Sequence, residues 1–348
     1  MKRKTLIHAL SVLLVLLLVV VSGCSGGGQQ ASAPEPAENT GNTSGEAAPS
    51  AASSFPEKDI TVVVPHDAGG GIDTYARAIV PFVQKHLPKE VNIVVENRPG
   101  ASGVTGSNGI YTAEPDGYTL GFVEPGGLYV QQKLVEVQYD VTKFNWLGQL
   151  RYEPLVAFTT KTSKIQSFED LKNNKVAVSV PQKRTAAGIG AVIAFDQLGI
   201  DYGVLAGTGT GDAVTATLRG DADIHLNNTG GVISNVDDGD LIPMVVFSDE
   251  PYAPWPDAPT IADLGHPEMA NVGVFMAALT APPGVPEDVL AILREATDKA
   301  MADPEFLKWS EESKRPIVTA NGEETTKNVN EIAASYEQYM DIVKKVFE

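Results

Sequence analysis

Ile60-Thr61-Val62-Val63-Val64, followed by Pro65-His66-Asp67-Ala68-Gly69-Gly70-Gly71-Ile72-Asp73, is the stretch that decides the fold. Five β-branched residues in a row read as a strand buried on both faces. Beyond the glycines, Ile72, Ala76, Ile79, Val83 and Leu87 recur at helical spacing, with Pro81 expected to kink or break that helix. Three glycines therefore join the carboxyl end of a strand to a helix N-terminus. The free N–H groups and partial positive charge of such a terminus make a small anion site, and glycine lets a ligand approach the backbone. The same residues also fit a plain tight turn with Asp73 as its N-cap or first-turn acid.

The unit recurs along the chain. Further strands are read at 91–95, 118–123, 176–180, 203–205, 222–226, 241–247 and 273–280. Helices are read at 186–198 and 212–218, from Pro286-Glu287 onward, and at 323–346. Strands alternating with helices predict an α/β fold of βαβ units, with parallel-dominated sheets flanked by helices. Small-residue loops end several strands: Glu96 to Gly106, Glu124-Pro125-Gly126-Gly127, Pro181-Gln182-Lys183-Arg184-Thr185 and Ala206-Gly207-Thr208-Gly209-Thr210-Gly211. Open α/β sheets bind ligands at such carboxyl ends. The ligand-contact candidates are thus His66, Ala68, Gly69, Gly70, Gly71 and Asp73 in the first loop, and Ala101, Ser102 and Gly103 in the second. Glu124, Gln182, Lys183, Arg184, Thr185, Gly207, Thr208, Gly209 and Asn227 complete the set.

At the N-terminus Lys2, Arg3 and Lys4 precede an apolar run from Ala9 to Val21, shorter than the roughly 18 residues of a spanning helix. The run closes in Val21-Ser22-Gly23-Cys24, and this pattern resembles the lipobox of bacterial lipoproteins, which implies a lipid on Cys24. An ordinary secretory leader with an incidental cysteine is the other reading. Cys24 is the only cysteine in 348 residues, which excludes an internal disulfide and a cysteine-rich zinc site. Residues 25–54 lack aromatic and large aliphatic side chains and read as a flexible tether. Loss of the three leader cations takes the formal charge from −18 to −21, which disfavours nucleic-acid partners. With 43% hydrophobic and 20% charged residues, the remainder is globular.

Signatures of catalysis are missing from the sequence: it has no Gly-x-Ser-x-Gly elbow, no phosphate-binding Gly-x-x-x-x-Gly-Lys loop and no His-Glu-x-x-His. His66, His86, His225 and His266 are scattered, without the spacing of a metal set, so no metal and no cofactor is expected.

Several stretches together carry a family resemblance. They are Phe55-Pro56, Ile60 to Pro65 with Ala68-Gly69-Gly70 and Asp73, Val94-Val95-Glu96-Asn97-Arg98-Pro99-Gly100-Ala101, and Pro115-Asp116-Gly117-Tyr118-Thr119-Leu120. The chain resembles the substrate-binding receptors of tripartite tricarboxylate transporters, the Bug-type receptors. Thinner matches at Ser167 to Leu171, Leu218 to Asp223, Asp257 to Thr260 and Ala281 to Gly284 extend the likeness to the C-terminus. The resemblance implies a two-lobed, periplasmic-binding-protein-like fold of type II character that closes on a small carboxylate-bearing ligand. One lobe would comprise 55–154 and 275–348, the other 155–274. It further implies an extracytoplasmic receptor that delivers an organic acid to the membrane permease subunits, and the lipobox likeness at Cys24 adds that an N-terminal lipid holds it to the membrane. A sensor for a signalling partner shares every one of these features. A surface enzyme using Asp67, Asp73 or His66 is a third reading.

This chain departs from the family pattern at the cleft. His66 and Asp67 stand where relatives have an aromatic residue and a proline, Pro181 to Thr185 replaces a Ser/Gly-rich loop, and Leu205-Ala206-Gly207 replaces an aromatic-Lys-Gly turn. Lys183 and Arg184 opposite Asp67 and Asp73 would suit an acid with a second polar or cationic group. A solvated, salt-bridged basic pair is the alternative.

Overall fold

The structure is a computed structural model that describes residues 54–347. The leader, Cys24 and the tether up to residue 53 lie outside the described residues.

The chain begins with strand β1 (Ile60–Val64), helix α1 (Gly71–Lys85), β2 (Ile93–Asn97), α2 (Val104–Tyr111), β3 (Thr119–Val123) and α3 (Pro125–Leu134). β1 lies between β2 and β3 and runs parallel to both. Ile60, Val62, Val63 and Val64 are all buried, which is why the strand reads as an apolar run and not as an alternation. α1 passes through Pro81, which sits on the exposed face, where water can satisfy the backbone groups that proline leaves unbonded.

β4 (Asn145–Glu153) and β5 (Leu155–Thr159) follow, separated only by Pro154, and the chain changes sheets there. The second sheet is completed by α4 (Phe168–Asn173), β6 (Val176–Val180), α5 (Ala186–Gln197), β7 (Tyr202–Ala206), α6 (Thr210–Arg219), β8 (Ile224–Asn228), α7 (Ile233–Asp237) and β9 (Ile242–Val246). β10 (Phe275–Ala281) returns to the first sheet between β3 and β4. The C-terminal part is α8 (Glu287–Met301), α9 (Pro304–Glu312), β11 (Ala320–Asn321), α10 (Gly322–Gln338) and α11 (Met340–Phe347). The single helix expected at 323–346 is therefore two, joined at Tyr339. The strand orders are β11-β4-β10-β3-β1-β2 and β7-β6-β8-β5-β9.

The fold is α/β, but the sheets are mixed and not parallel-dominated. Only β1 with β2 and β3, and β6 with β7 and β8, pair in parallel. Every pairing of the crossing strands β4, β5 and β10 is antiparallel. The reversal arises because these strands are not products of a helical crossover; they carry the chain from one sheet to the other.

One side chain ties both crossings together. The buried Asn228 amide donates to the carbonyls of Glu153 and Pro154 at 3.2 and 3.0 Å, and to that of Gly273, just before β10, at 3.1 Å. Helix α5 packs backbone to backbone at the same place. A Cβ on Gly190 would stand 2.6 Å from the Gly273 Cα, and Gly273 itself has φ +72, so both positions require glycine.

Candidate ligand-binding site

Helices α1, α3, α5 and α6 begin at the carboxyl ends of β1, β3, β6 and β7, two in each sheet. Their first turns meet. Ile72, Gly127 and Leu128 from the first sheet, and Ala186, Ala187 and Thr210 from the second, line one cavity of about 250 Å³. Asn227 and Asn228 at the end of β8 and Phe275 at the start of β10 also line it. A second cavity of about 430 Å³ shares Ile72, Thr210, Asn227, Asn228 and Phe275 with the first and extends toward Arg151, Gly230 and Arg315. Clefts of this size suit small metabolites.

The first cavity is rich in backbone donors. At α5 the Thr185 hydroxyl donates to the Gln182 carbonyl at 2.9 Å, and its oxygen accepts the Gly188 N–H at 3.3 Å. The N–H groups of Ala186 and Ala187, the first two of the helix, have no carbonyl of that helix to bond. At α3 the corresponding role is filled from within: the Glu124 carboxyl caps the helix and accepts the Gly127 N–H at 2.8 Å. Burial pushes Glu124 up to about 7, against the opposing pull of the Gly127 and Gly126 N–H groups. Burial likewise lowers His66, with Asp67 opposing, which favours the neutral imidazole at the cavity.

The Glu124 shift has a consequence for stability. An ordinary glutamate titrates near about 4.3, so between roughly pH 4.5 and 7 the folded chain keeps a proton that the unfolded chain has released. Stability contributed by this group falls as pH rises through that window, by roughly 3 kcal/mol in total. Glu124→Gln retains an acceptor for Gly127 and is expected to be more stable than wild type at pH 8 and to flatten that slope. Urea unfolding at pH 5 and pH 8 checks it; an unchanged difference between the two pH values would place the dependence elsewhere.

Residues 76–345 match the model of the tripartite tricarboxylate transporter family receptor. The chain belongs to that family. It is 27% identical to the protein BugT of Bordetella pertussis over 271 residues, 74% of this chain and 81% of that one. Its fold is that of a TctC solute-binding protein from Polaromonas, with TM-score 0.71 at 22% identity over 84% of this chain and 99% of the other. MatC from Rhodopseudomonas palustris, solved with bound malate, aligns with TM-score 0.67 at 23% identity over 83% of this chain and all of the other. The protein is thus a solute-binding receptor of the tripartite tricarboxylate type.

The receptor's fold brings together some of the residues that the sequence singles out. His66, Ser102, Glu124, Gln182, Arg184, Thr185 and Asn227 line the first cavity, and Gly69, Gly71 and again Asn227 line the second. Ala68, Gly70, Asp73, Ala101, Gly103, Lys183, Gly207, Thr208 and Gly209 line neither. Asp73 is buried at the base of its loop, where its carboxylate accepts from the Gly69 N–H at 2.8 Å, Arg77 at 3.0 Å and Asn97 at 2.9 Å. Burial alone would raise this group, but those bonds outweigh it and hold the carboxyl below its usual range. Lys183 is exposed, and Thr208 bonds the Asp212 carboxylate beside it. Arg184 lines the first cavity with an exposed side chain that reaches the Phe347 carbonyl at 3.3 Å. Among the described residues no group of three or more His, Cys, Asp or Glu side chains is placed to hold a metal ion.

Lining residues outside the sequence-derived set include Arg151, Asn228, Phe275 and Arg315. Arg151 and Glu153 offered a signal, a charge pair two residues apart within a stretch otherwise rich in apolar residues.

Proposed function

We propose that this receptor captures a small carboxylate-bearing metabolite between its two sheets and delivers it to the membrane subunits of a tripartite tricarboxylate transporter. The observation that carries the reading is the convergence of four helix N-termini, two from each sheet, on one cavity, where Glu124 already caps α3 and the Ala186 and Ala187 N–H groups of α5 are offered to a ligand. Oriented N–H dipoles at close range hold a carboxylate even in a chain of formal charge −18, because distant surface charge is screened. Malate in MatC supports an organic acid as the ligand class. The sheets support lobes at 55–154 with 275–348 and at 155–274, which close over the acid. The leader and Cys24 support an extracytoplasmic protein tethered by lipid; recovery of Cys24→Ser in the membrane fraction at the wild-type level would contradict the tether.

A thermal-shift panel of small mono-, di- and tricarboxylates tests the reading. An acid present at 100 times its dissociation constant stabilises the folded state by about 2.7 kcal/mol. At least one acid is expected to raise the melting temperature in a saturable way, and a panel with no response would overturn the assignment.

A further inference from the structure

Glu124 stands in the wall of the first cavity with a carboxyl that the fold leaves without a counter-ion. It is 8% exposed, and both of its oxygens accept from one N–H, that of Gly127, at 3.0 and 2.8 Å. The Gly126 N–H adds a second backbone donor, and no cation among the described residues forms an ion pair with the group. The other titratable groups near it are few. Tyr139 donates its hydroxyl to the Leu128 carbonyl at 3.1 Å, and Tyr336 of α10 has a buried hydroxyl with no partner among the described residues. The cavity wall adds His66, from the loop after β1, and Arg184, whose guanidinium reaches the Phe347 carbonyl on α11. The loop that leads into α5 comes close to the carboxyl: a Cβ on Gly127 would clash with Glu124 Oε2 and stand 3.9 Å from the Arg184 carbonyl oxygen. Glu124 and the Ala186 and Ala187 N–H groups therefore face the same space of about 250 Å³. An ionised Glu124 and an ionised ligand there would be two like charges at close range in a largely buried site, and such a pair holds one proton between them.

We propose that the receptor takes up its acid together with a proton, which Glu124 carries and donates to the bound carboxylate, so that capture is strong on the acid side of neutrality and release is favoured on the alkaline side. This rests on the carboxylate assignment of the first cavity. The ligand's carboxylate accepts the Ala186 and Ala187 N–H groups on one side and the Glu124 O–H on the other, a charge-assisted bond that an ionised Glu124 cannot make. The proton comes from solvent and returns to it when the acid leaves. Burial prepares the group, since it already holds Glu124 up to about 7, and the ligand's charge raises it further. The sign of the linkage follows: affinity is constant well below that value and falls as pH rises through and above it, because the free receptor must then regain a proton to bind.

Titration calorimetry with succinate, malate and benzoate, and with any further acid that raises the melting temperature in the carboxylate panel, tests this. Runs at pH 7.5 in HEPES and in Tris, whose ionisation enthalpies differ, count the protons that move on binding. An acid that binds the wild type is expected to bring in roughly half a proton or more, and its affinity is expected to fall about tenfold between pH 7 and pH 8.5. Glu124→Gln keeps a donor toward the ligand without a titrating group. It is expected to bind with no proton uptake and with constant affinity over that range, and to bind more tightly than the wild type at pH 8.5, a gain that mere damage to the cavity would not give. Binding by the wild type without proton uptake, or with proton release, overturns the proposal and leaves the carboxylate reading standing. Uptake that survives in Glu124→Gln assigns the proton to another group, such as His66, and overturns it as well. Failure of every acid to bind overturns the carboxylate reading and this proposal with it.

Discussion

Arg151→Met is expected to destabilise the folded state by about 3–5 kcal/mol, because it strands a carboxylate that the fold buries almost completely. Glu153 is 1% exposed, and without Arg151 the Gly230 N–H is the one remaining bond to its carboxylate among those described. The loss is a large fraction of the roughly 5–15 kcal/mol that separates a typical folded domain from its unfolded chain. Removing both charges is different: Arg151→Met with Glu153→Met leaves no uncompensated ion, and it should recover most of the stability. Urea unfolding at pH 7 of wild type, single and double variants measures this. A single variant within about 1 kcal/mol of wild type would mean that water reaches the pair and that β4 is not closed at this point.

Asn228→Ala is expected to cost about 2–4 kcal/mol, with the loss concentrated where the two sheets join. Its amide serves the carbonyls of Glu153, Pro154 and Gly273, which lie on the two separate crossings between the sheets. Buried acceptors left unpaired carry their desolvation penalty in full, and the lost amide also leaves a void beside the ligand cavity. Asn228→Asp should be no better, since it exchanges the donor for a second acceptor facing the same oxygens. A loss under about 0.5 kcal/mol in the urea midpoint would show that the crossings hold without this clamp.

Some of this architecture is legible in the sequence, for reasons that differ from element to element. Ile60–Val64 is recognisable because both faces of β1 are buried, and no polar position interrupts the run. β4 is hidden by the opposite circumstance. Gln149, Arg151 and Glu153 are buried polar residues whose partners, including Tyr75, Phe275, Val318 and Gly230, lie far along the chain. No apolar run or alternation announces such a strand, and the charge pair Arg151 and Glu153 is the one local cue to what is buried beside the ligand cleft. Strand–helix alternation predicts crossover units, but it says nothing of strands that change sheets, which is why parallel-dominated sheets were expected and mixed ones are present. Pro81 fails to end α1 because it falls on the solvent face.

At the candidate site, composition marks the loops but not the direction of each residue. Ala101 and Ser102 both have positive φ, at 48° and 55°, and only Ser102 lines the cavity. Asp73 reads equally as a ligand contact or a turn acid, and its place beneath the loop depends on Asn97 from β2, a residue brought close by strand pairing.

A crystal structure of the receptor grown with the acid that raises its melting temperature most tests the central claim directly. The account predicts that acid in the cavity between the sheets, with a carboxylate within hydrogen-bonding distance of the Ala186 and Ala187 N–H groups. An acid found outside that cavity, or inside it with its carboxylate turned away from the α5 N-terminus, would contradict the account.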